Sequence, residues 1–282
     1  MSWFVNLRGS GYGVVCDALV LQGADPPDPA ALTHTPLDSL PALVRGKSVL
    51  LVTHGFNVNY ADGVVSLGRL QDMLNPGPDE VVLGVLWPGD WIIPAINYPF
   101  AEGVAKTAGI KLAAFCNAWL RGAASLSFAS HSLGARVILQ AVARLNRKAH
   151  ILCITAGAIG ADCLVAEYKA AAINSDEVMT LSSRRDKVLQ LAYPVGDIIA
   201  DLLDLDHKPF ERALGREGPQ TPFGPPVFAR QIPDNLGYDH GDYLPPSGAG
   251  ATYPDTTPPS DWPAASDFIG RACRQQPLPW PP

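Results

Sequence analysis

The sequence predicts an α/β fold: a mostly parallel central sheet flanked by helices, followed by a proline-rich C-terminal extension. Three observations carry this. Short β-branched or apolar runs alternate with longer segments of helical period, the order that builds parallel strands joined by crossover helices. The prolines are unevenly spread: between Pro99 and Pro209 only Pro194 occurs, whereas 16 of the 27 lie from Pro209 onward. A regular, helix-rich centre and an extended last third follow, because proline breaks ladders and helices. The 282 residues are 47% apolar and only 17% charged, which excludes global disorder and gives material for a sizeable core.

Along the chain, Trp3–Asn6 reads as the first strand. Gly9-Ser-Gly-Tyr-Gly13 has neither the G-x-G-x-x-G nor the G-x-x-x-x-G-K-[ST] spacing, so a hairpin turn accounts for it better than nucleotide binding. Ala24–Pro41, rich in proline and aspartate, reads as a loop, as does Asn75-Pro-Gly-Pro-Asp79. Between these lie the strand Ser48–Thr53 and the helix Ala61–Met73, and then comes the strand Val81–Leu86. The aromatic and apolar stretch Leu86–Phe100, with Trp87 and Trp91, follows as a loop that is either a lid or pocket wall or ordinary core. Tyr193–Asp197 is a candidate for the opposite wall.

Glu102–Arg121 sets Ala105, Ala108, Leu112, Cys116 and Trp119 on one helical face, and Leu133–Leu145 does the same with Val137, Ile138, Val142 and Leu145. Leu126–Ala129, Ile151–Thr155, Val178–Leu181 and Pro226–Arg230 complete the strands, and Lys187–Leu203 is a further helix. Tyr243–Pro263 reads as decoration. The expected organisation is one domain over 1–243 with an extension over 244–282 packed on it or trailing; deletion from about Gly237 is expected to abolish activity, whereas trimming after Cys273 is not.

Composition narrows the function. A formal net charge of −6 and a pI near 5.4 give no attraction to a phosphate backbone or an anionic membrane, so nucleic acid is not an expected partner. The N-terminus has neither a basic region nor a sustained apolar one, and no apolar run is long enough to span a bilayer. The five cysteines are odd in number, scattered and without a C-x-x-C pair. Buried thiols in a reducing compartment are the expectation, with a cytoplasmic location and no cofactor or metal. Asp239-His240-Gly-Asp242 is a weak metal pattern without further ligands.

The segment richest in chemistry is Leu126-Ser-Phe-Ala-Ser-His-Ser-Leu-Gly-Ala-Arg-Val137: a short strand ends in Ser130-His131-Ser132-Leu133-Gly134, and a helix begins at once. A sharp strand-to-helix turn lifts a serine hydroxyl above a sheet only if the residues two places either side are small, as Ser130 and Gly134 are. The helix start behind it offers N–H groups and a favourable dipole to a developing oxyanion. The competing reading makes Ser132 a plain helix cap. Upstream, Val49–Thr53 runs into His54-Gly55-Phe56-Asn57, where Gly55 lets a loop swing beside the serine and Phe56 donates its main-chain N–H. His54 is expected to shape that loop and not to act as a base.

With these segments, together with Ser183-Arg-Arg-Asp-Lys-Val188 and Asp239-His240, the chain from about Val49 to Tyr243 resembles the α/β-hydrolase superfamily. More closely, it resembles a family of α/β hydrolases of unknown function related to serine esterases. The resemblance implies an α/β-hydrolase fold and a Ser, Asp/Glu, His order along the chain. It points to Ser132 as nucleophile, Asp186 as acid with Asp162 as rival, and His240 as base with His207 as competitor. Phe56 and Leu133 N–H groups would form the oxyanion hole, and His54, Gly55, Asn57, His131, Trp87 and Trp91 would line the substrate pocket. The implied activity is hydrolysis of a small-molecule acyl ester through an acyl-enzyme. A thioesterase, amidase or acyltransferase would use the same groups, and a catalytically silent binding protein of the same fold is the other reading.

Overall fold

The computed structural model describes residues 1–90, 94–190, 212–220, 226–248 and 261–280, with side chains for all of these except 94–99 and 261. In chain order the elements are β1 (Ser2–Arg8), β2 (Val15–Gly23), β3 (Thr33–Thr35), α1 (Leu40–Val44), β4 (Ser48–Thr53), α2 (Tyr60–Leu74), β5 (Glu80–Leu86) and α3 (Pro94–Trp119). They continue with β6 (Ser125–His131), α4 (Gly134–Val142), β7 (Ala149–Thr155), α5 (Lys169–Ile173), β8 (Ser175–Ser182), α6 (Leu214–Glu217), β9 (Val227–Gln231) and α7 (Asp261–Cys273). The strands form one nine-stranded sheet in the order β3-β2-β1-β5-β4-β6-β7-β8-β9. From β1 to β9 every neighbouring pair is parallel, and only β2 and β3 add antiparallel at one edge.

The near-continuous apolar runs explain why β4 to β7 sit in the middle: a parallel strand is covered on both faces. In β4 the alternation is visible residue by residue. Val49 and Leu51 enter a core shared with Ala105, Ala108 and Leu112 of α3 and Val137 and Ile138 of α4. Leu50 and Val52 enter the opposite core, with Val64, Leu67 and Leu70 of α2 and Phe268 and Ile269 of α7. Helix α2 starts where the Asn59 side chain accepts from the Asp62 N–H at 2.9 Å and ends at Asn75 in the left-handed region, φ 42°. In α4 every residue except Gln140 is buried, Arg136 included. Its guanidinium pairs with Glu102 of α3 and with Glu167, each at 3.0 Å, so the helix behind Ser132 is held electrostatically as well as by packing.

The structure departs from the sequence reading mainly at its ends. Gly9–Gly13 does turn a hairpin, with the Gly9 N–H on the Val14 carbonyl at 2.7 Å, but its second arm β2 went unread because Asp17 interrupts the apolar alternation. The stretch read as a loop over Ala24–Pro41 contains β3 and the start of α1; three residues of strand are too few for a periodic signal. Residues from Pro94 to Phe100, read as loop, belong to α3; Pro94 at its first position costs the helix no bond it would otherwise make. Asp261–Pro263, read as decoration, begins α7.

The tail beyond Cys273 is also packed. Arg274 pairs with Glu80 at 2.7 Å, and Trp280 is buried with its ring 5.6 Å from Tyr238 and 5.9 Å from Phe268. Of the helix expected over Lys187–Leu203, only 187–190 fall within the described residues; Tyr193–Asp197, Trp91 and His207 fall outside them. Among the described residues no helix is long and apolar enough to cross a membrane.

Candidate active site

Strand register brings the two central motifs level. Thr53 at the end of β4 pairs with Ser130 of β6, so one step further His54 stands beside His131 and Gly55 beside Ser132. The approach is close enough to demand glycine. A Cβ on Gly55 would lie 2.8 Å from the Ser132 Cβ and 3.1 Å from His131 Nδ1. A Cβ on Gly134 would lie 2.4 Å from the His54 carbonyl oxygen and 2.5 Å from Thr53 Oγ1. The small residues around Ser132 are thus imposed by β4, its parallel neighbour.

Ser132 itself has φ 55°, a left-handed conformation that a non-glycine residue holds only where its surroundings fix it. The Ser132 N–H donates to the Thr155 carbonyl of β7 at 3.1 Å, and its own carbonyl accepts from the Ala135 N–H at 3.0 Å. The turn is therefore tied both to the sheet and to α4.

The hydroxyl of Ser132 stands 2.8 Å from His240 Nε2, and His240 Nδ1 stands 2.7 Å from Asp186 Oδ2. The carboxylate that meets the imidazole is therefore that of Asp186, on the turn after β8, and not that of Asp162. Asp186 is fully buried, and its other oxygen accepts from the Leu189 N–H at 2.8 Å. His240 arrives from the loop after β9. That loop is fastened to the Asp186 turn at two points: Ser183 Oγ donates to the Tyr238 carbonyl at 2.7 Å, and one Asp239 oxygen accepts from the N–H groups of Lys187 at 2.9 Å and His240 at 2.8 Å. These main-chain donors, with Lys187 nearby, hold the Asp239 carboxyl below its usual range against the opposing effect of burial. Asp239, met in the sequence as part of a weak metal pattern, serves as a clasp.

Two residues expected in the substrate pocket are instead buried supports. His54 is 1% exposed and Trp87 is not exposed at all; their rings stack 5.7 Å apart at 13°. Trp87 Nε1 donates to the His54 carbonyl at 2.9 Å and the Trp87 N–H donates to His54 Nε2 at 3.3 Å. His54 Nδ1 donates in turn to the Gly55 carbonyl at 2.9 Å. An acceptor at Nε2 and a donor at Nδ1 require the neutral ring, and burial accordingly pushes its pKa down to about 4. The reason for the misassignment is that an apolar strand end followed by Trp looks the same whether the ring faces a pocket or the core.

The other pocket candidates stay near the surface of the site. Gly55 and half-buried His131 touch Ser132 or its neighbours, and Asn57 is exposed with φ 57° and its N–H on the Gly89 carbonyl at 2.8 Å. His131 carries one contact no motif announces: its Nε2 donates to the His240 carbonyl at 2.8 Å. Sequence reasoning also missed Arg8, whose partners are mostly main-chain carbonyls with no signature in the residue string.

A parallel sheet with crossover helices and a Ser-His-Asp chain at the carboxyl ends of its strands defines the class: an α/β hydrolase. The family described as "Alpha/beta hydrolase of unknown function (DUF900)" matches residues 38–222, and the chain belongs to it. Among solved structures it is similar to esterase PE8 at 17% identity, covering 81% of this chain and 94% of that one with a TM-score of 0.40. It is similar to a hyperthermophilic esterase from the archaeon Pyrobaculum calidifontis at 13% identity (92% and 81%, TM-score 0.44). A third likeness is to carboxyl esterase 2 from the mycorrhizal fungus Tuber melanosporum at 14% identity (96% and 90%, TM-score 0.42). No curated protein matches the chain.

Proposed function

We propose that this chain is a serine hydrolase that cleaves a carboxylic ester through an acyl-enzyme. The observation that carries the reading is the continuous hydrogen-bonded chain from Ser132 Oγ to His240 at 2.8 Å and from His240 to Asp186 at 2.7 Å. In the first step Ser132 Oγ attacks the ester carbonyl carbon while His240 Nε2 takes its proton, and Asp186 holds the Nδ1–H tautomer and stabilises the imidazolium. The carbonyl oxygen becomes an oxyanion that receives the Phe56 and Leu133 N–H groups. Leu133 is well suited: its N–H has no acceptor among the described residues and stands at the start of α4. Collapse of the tetrahedral intermediate breaks the bond to the leaving alcohol, which takes the proton from His240. Water, activated by the same imidazole, then releases the acid and restores Ser132.

A fluorophosphonate probe tests this directly. It should label Ser132 in the wild type and leave Ser132→Ala unlabelled, with the adduct located by peptide mass spectrometry. Folded wild type that takes no label would overturn the reading. A panel of esters, thioesters and amides with a common acyl group assigns the leaving group, and esters should turn over fastest.

A further inference from the structure

We infer that Arg8, at the end of β1 and upstream of the residues matched by the family, is the positioning residue that holds the oxyanion loop; this rests on the hydrolase reading above. Its guanidinium bridges two separate chain segments. Nη1 donates to the Trp87 carbonyl at 2.7 Å and to the Val58 carbonyl at 3.3 Å, while Nη2 pairs with the Asp90 carboxylate. Val58 lies two residues after Phe56, the proposed oxyanion donor. The Asn57 N–H between them reaches the Gly89 carbonyl at 2.8 Å. The segment 55–58 is thus sewn to the segment 87–90, and the Arg8 side chain bonds to both Val58 and Asp90.

The choice of arginine follows from geometry. Three acceptors lie around one group, two of them carbonyls on different segments, and a planar fork with five N–H donors satisfies them together where a single ammonium cannot. The pair is mostly removed from water, with the Arg8 side chain 11% exposed and that of Asp90 18%, so these bonds are strong and their loss is felt. The loop itself needs such a brace. Gly55 lacks a Cβ so that the chain passes over Ser132, and Asn57 sits at positive φ; His54 Nδ1 holds the Gly55 carbonyl, the near half of the Phe56 peptide, at 2.9 Å, and Arg8 holds the far end of the loop at Val58. An oxyanion donor works only when it is already aimed at the position the charged oxygen takes. A cleft of about 430 Å³ lined by Asn6, Arg8, Tyr12, Tyr60 and Asp90 leads from solvent to the guanidinium, which makes the position accessible to a small replacement cation.

The test is steady-state hydrolysis of a p-nitrophenyl ester by wild type, Arg8→Ala and Arg8→Lys. Folding is checked by circular dichroism. Loss of an interaction that aims a transition-state donor should lower kcat by about 10- to 100-fold and leave KM within about threefold. Added guanidinium at tens of millimolar should recover a large part of the Arg8→Ala loss, and ammonium at the same ionic strength should not. If Arg8→Ala does not fold, Arg8→Lys decides, since it keeps the charge and loses the fork: lowered kcat supports the role and wild-type kcat overturns it. Folded Arg8→Ala with wild-type kcat, or a loss that guanidinium does not relieve, also overturns it. Wild type without Ser132-dependent turnover brings down the hydrolase reading and this one together, whereas an active enzyme indifferent to Arg8 brings down this one alone.

Discussion

The imidazole of His131, the residue before Ser132, donates from Nε2 to the main-chain carbonyl of His240 across 2.8 Å, with the two rings 4.9 Å apart. The strand that carries Ser132 therefore reaches over to fix the backbone of His240, which comes from a loop 108 residues further along the chain. A loop is the least rigid way to carry a catalytic group. Here the compensation is a set of ties from three directions: His131 from β6, Ser183 from the end of β8, and Asp239 back to Lys187.

His131→Ala should lower kcat about tenfold with little change in KM, because a small misplacement of the base is paid in the transition state. His131→Gln, whose amide can donate to the same carbonyl, should recover most of the activity. Equal losses in the two variants, measured on one ester substrate, would assign His131 a role other than this bond.

Asp186→Asn should fold, since the amide oxygen can still accept from the Leu189 N–H, yet kcat should fall by about 10³- to 10⁴-fold as the imidazole is left in the wrong tautomer. Asp162→Asn should be near wild type. The reverse ranking in a kcat comparison would reassign the acid.

The central architecture was legible because it is repetitive. The strand expected at Ser48–Thr53 stands there residue for residue, and the expected helix over Ala61–Met73 is one residue short at each end. A parallel strand buried on both faces has to be a run of apolar residues, and an elbow has to be flanked by small ones, so both write themselves into local sequence. What stayed hidden depends on contacts distant in the chain. Whether Trp87 faces substrate or His54 is decided by how β5 registers against β4, and Arg8 meets two main-chain carbonyls and a carboxylate that lie 50 to 82 residues away in the chain. Helix α7 is hidden for another reason. Ala265, Phe268, Ile269 and Ala272 repeat at steps of three and four and all are buried, but the prolines around them dominated the composition.

That packing makes the C-terminal tail a structural part of the site. Trp280 packs edge-on against Tyr238, whose carbonyl receives Ser183 Oγ two residues before His240. Trp280→Ala should lower stability by about 3 kcal/mol, seen as a reduced urea midpoint, and truncation after Cys273 should lower it further by also removing the Arg274 to Glu80 pair. A truncated chain with the wild-type midpoint would show that the tail contributes nothing to the stability of the fold.

Acid should weaken the fold through two imidazoles. His54 is held neutral with its pKa pushed down to about 4 by burial, and His131 to about 3 by burial and then by the neighbouring His240. In the unfolded chain both titrate near the ordinary value of 6.5. Each folded pKa is the lower one, so the unfolded state binds protons first as the pH drops. The stability present above about pH 6.5 is lost progressively as pH falls through 6.5 toward the folded values, at a limiting slope of about 1.4 kcal/mol per pH unit for each ring. Urea midpoints at about pH 7.5, 6 and 5 should therefore decline in that order. In His131→Gln, which keeps the donor and removes one titrating ring, the decline should be about half as steep. A wild-type midpoint that stays level across this window would show that neither ring is held neutral by the fold.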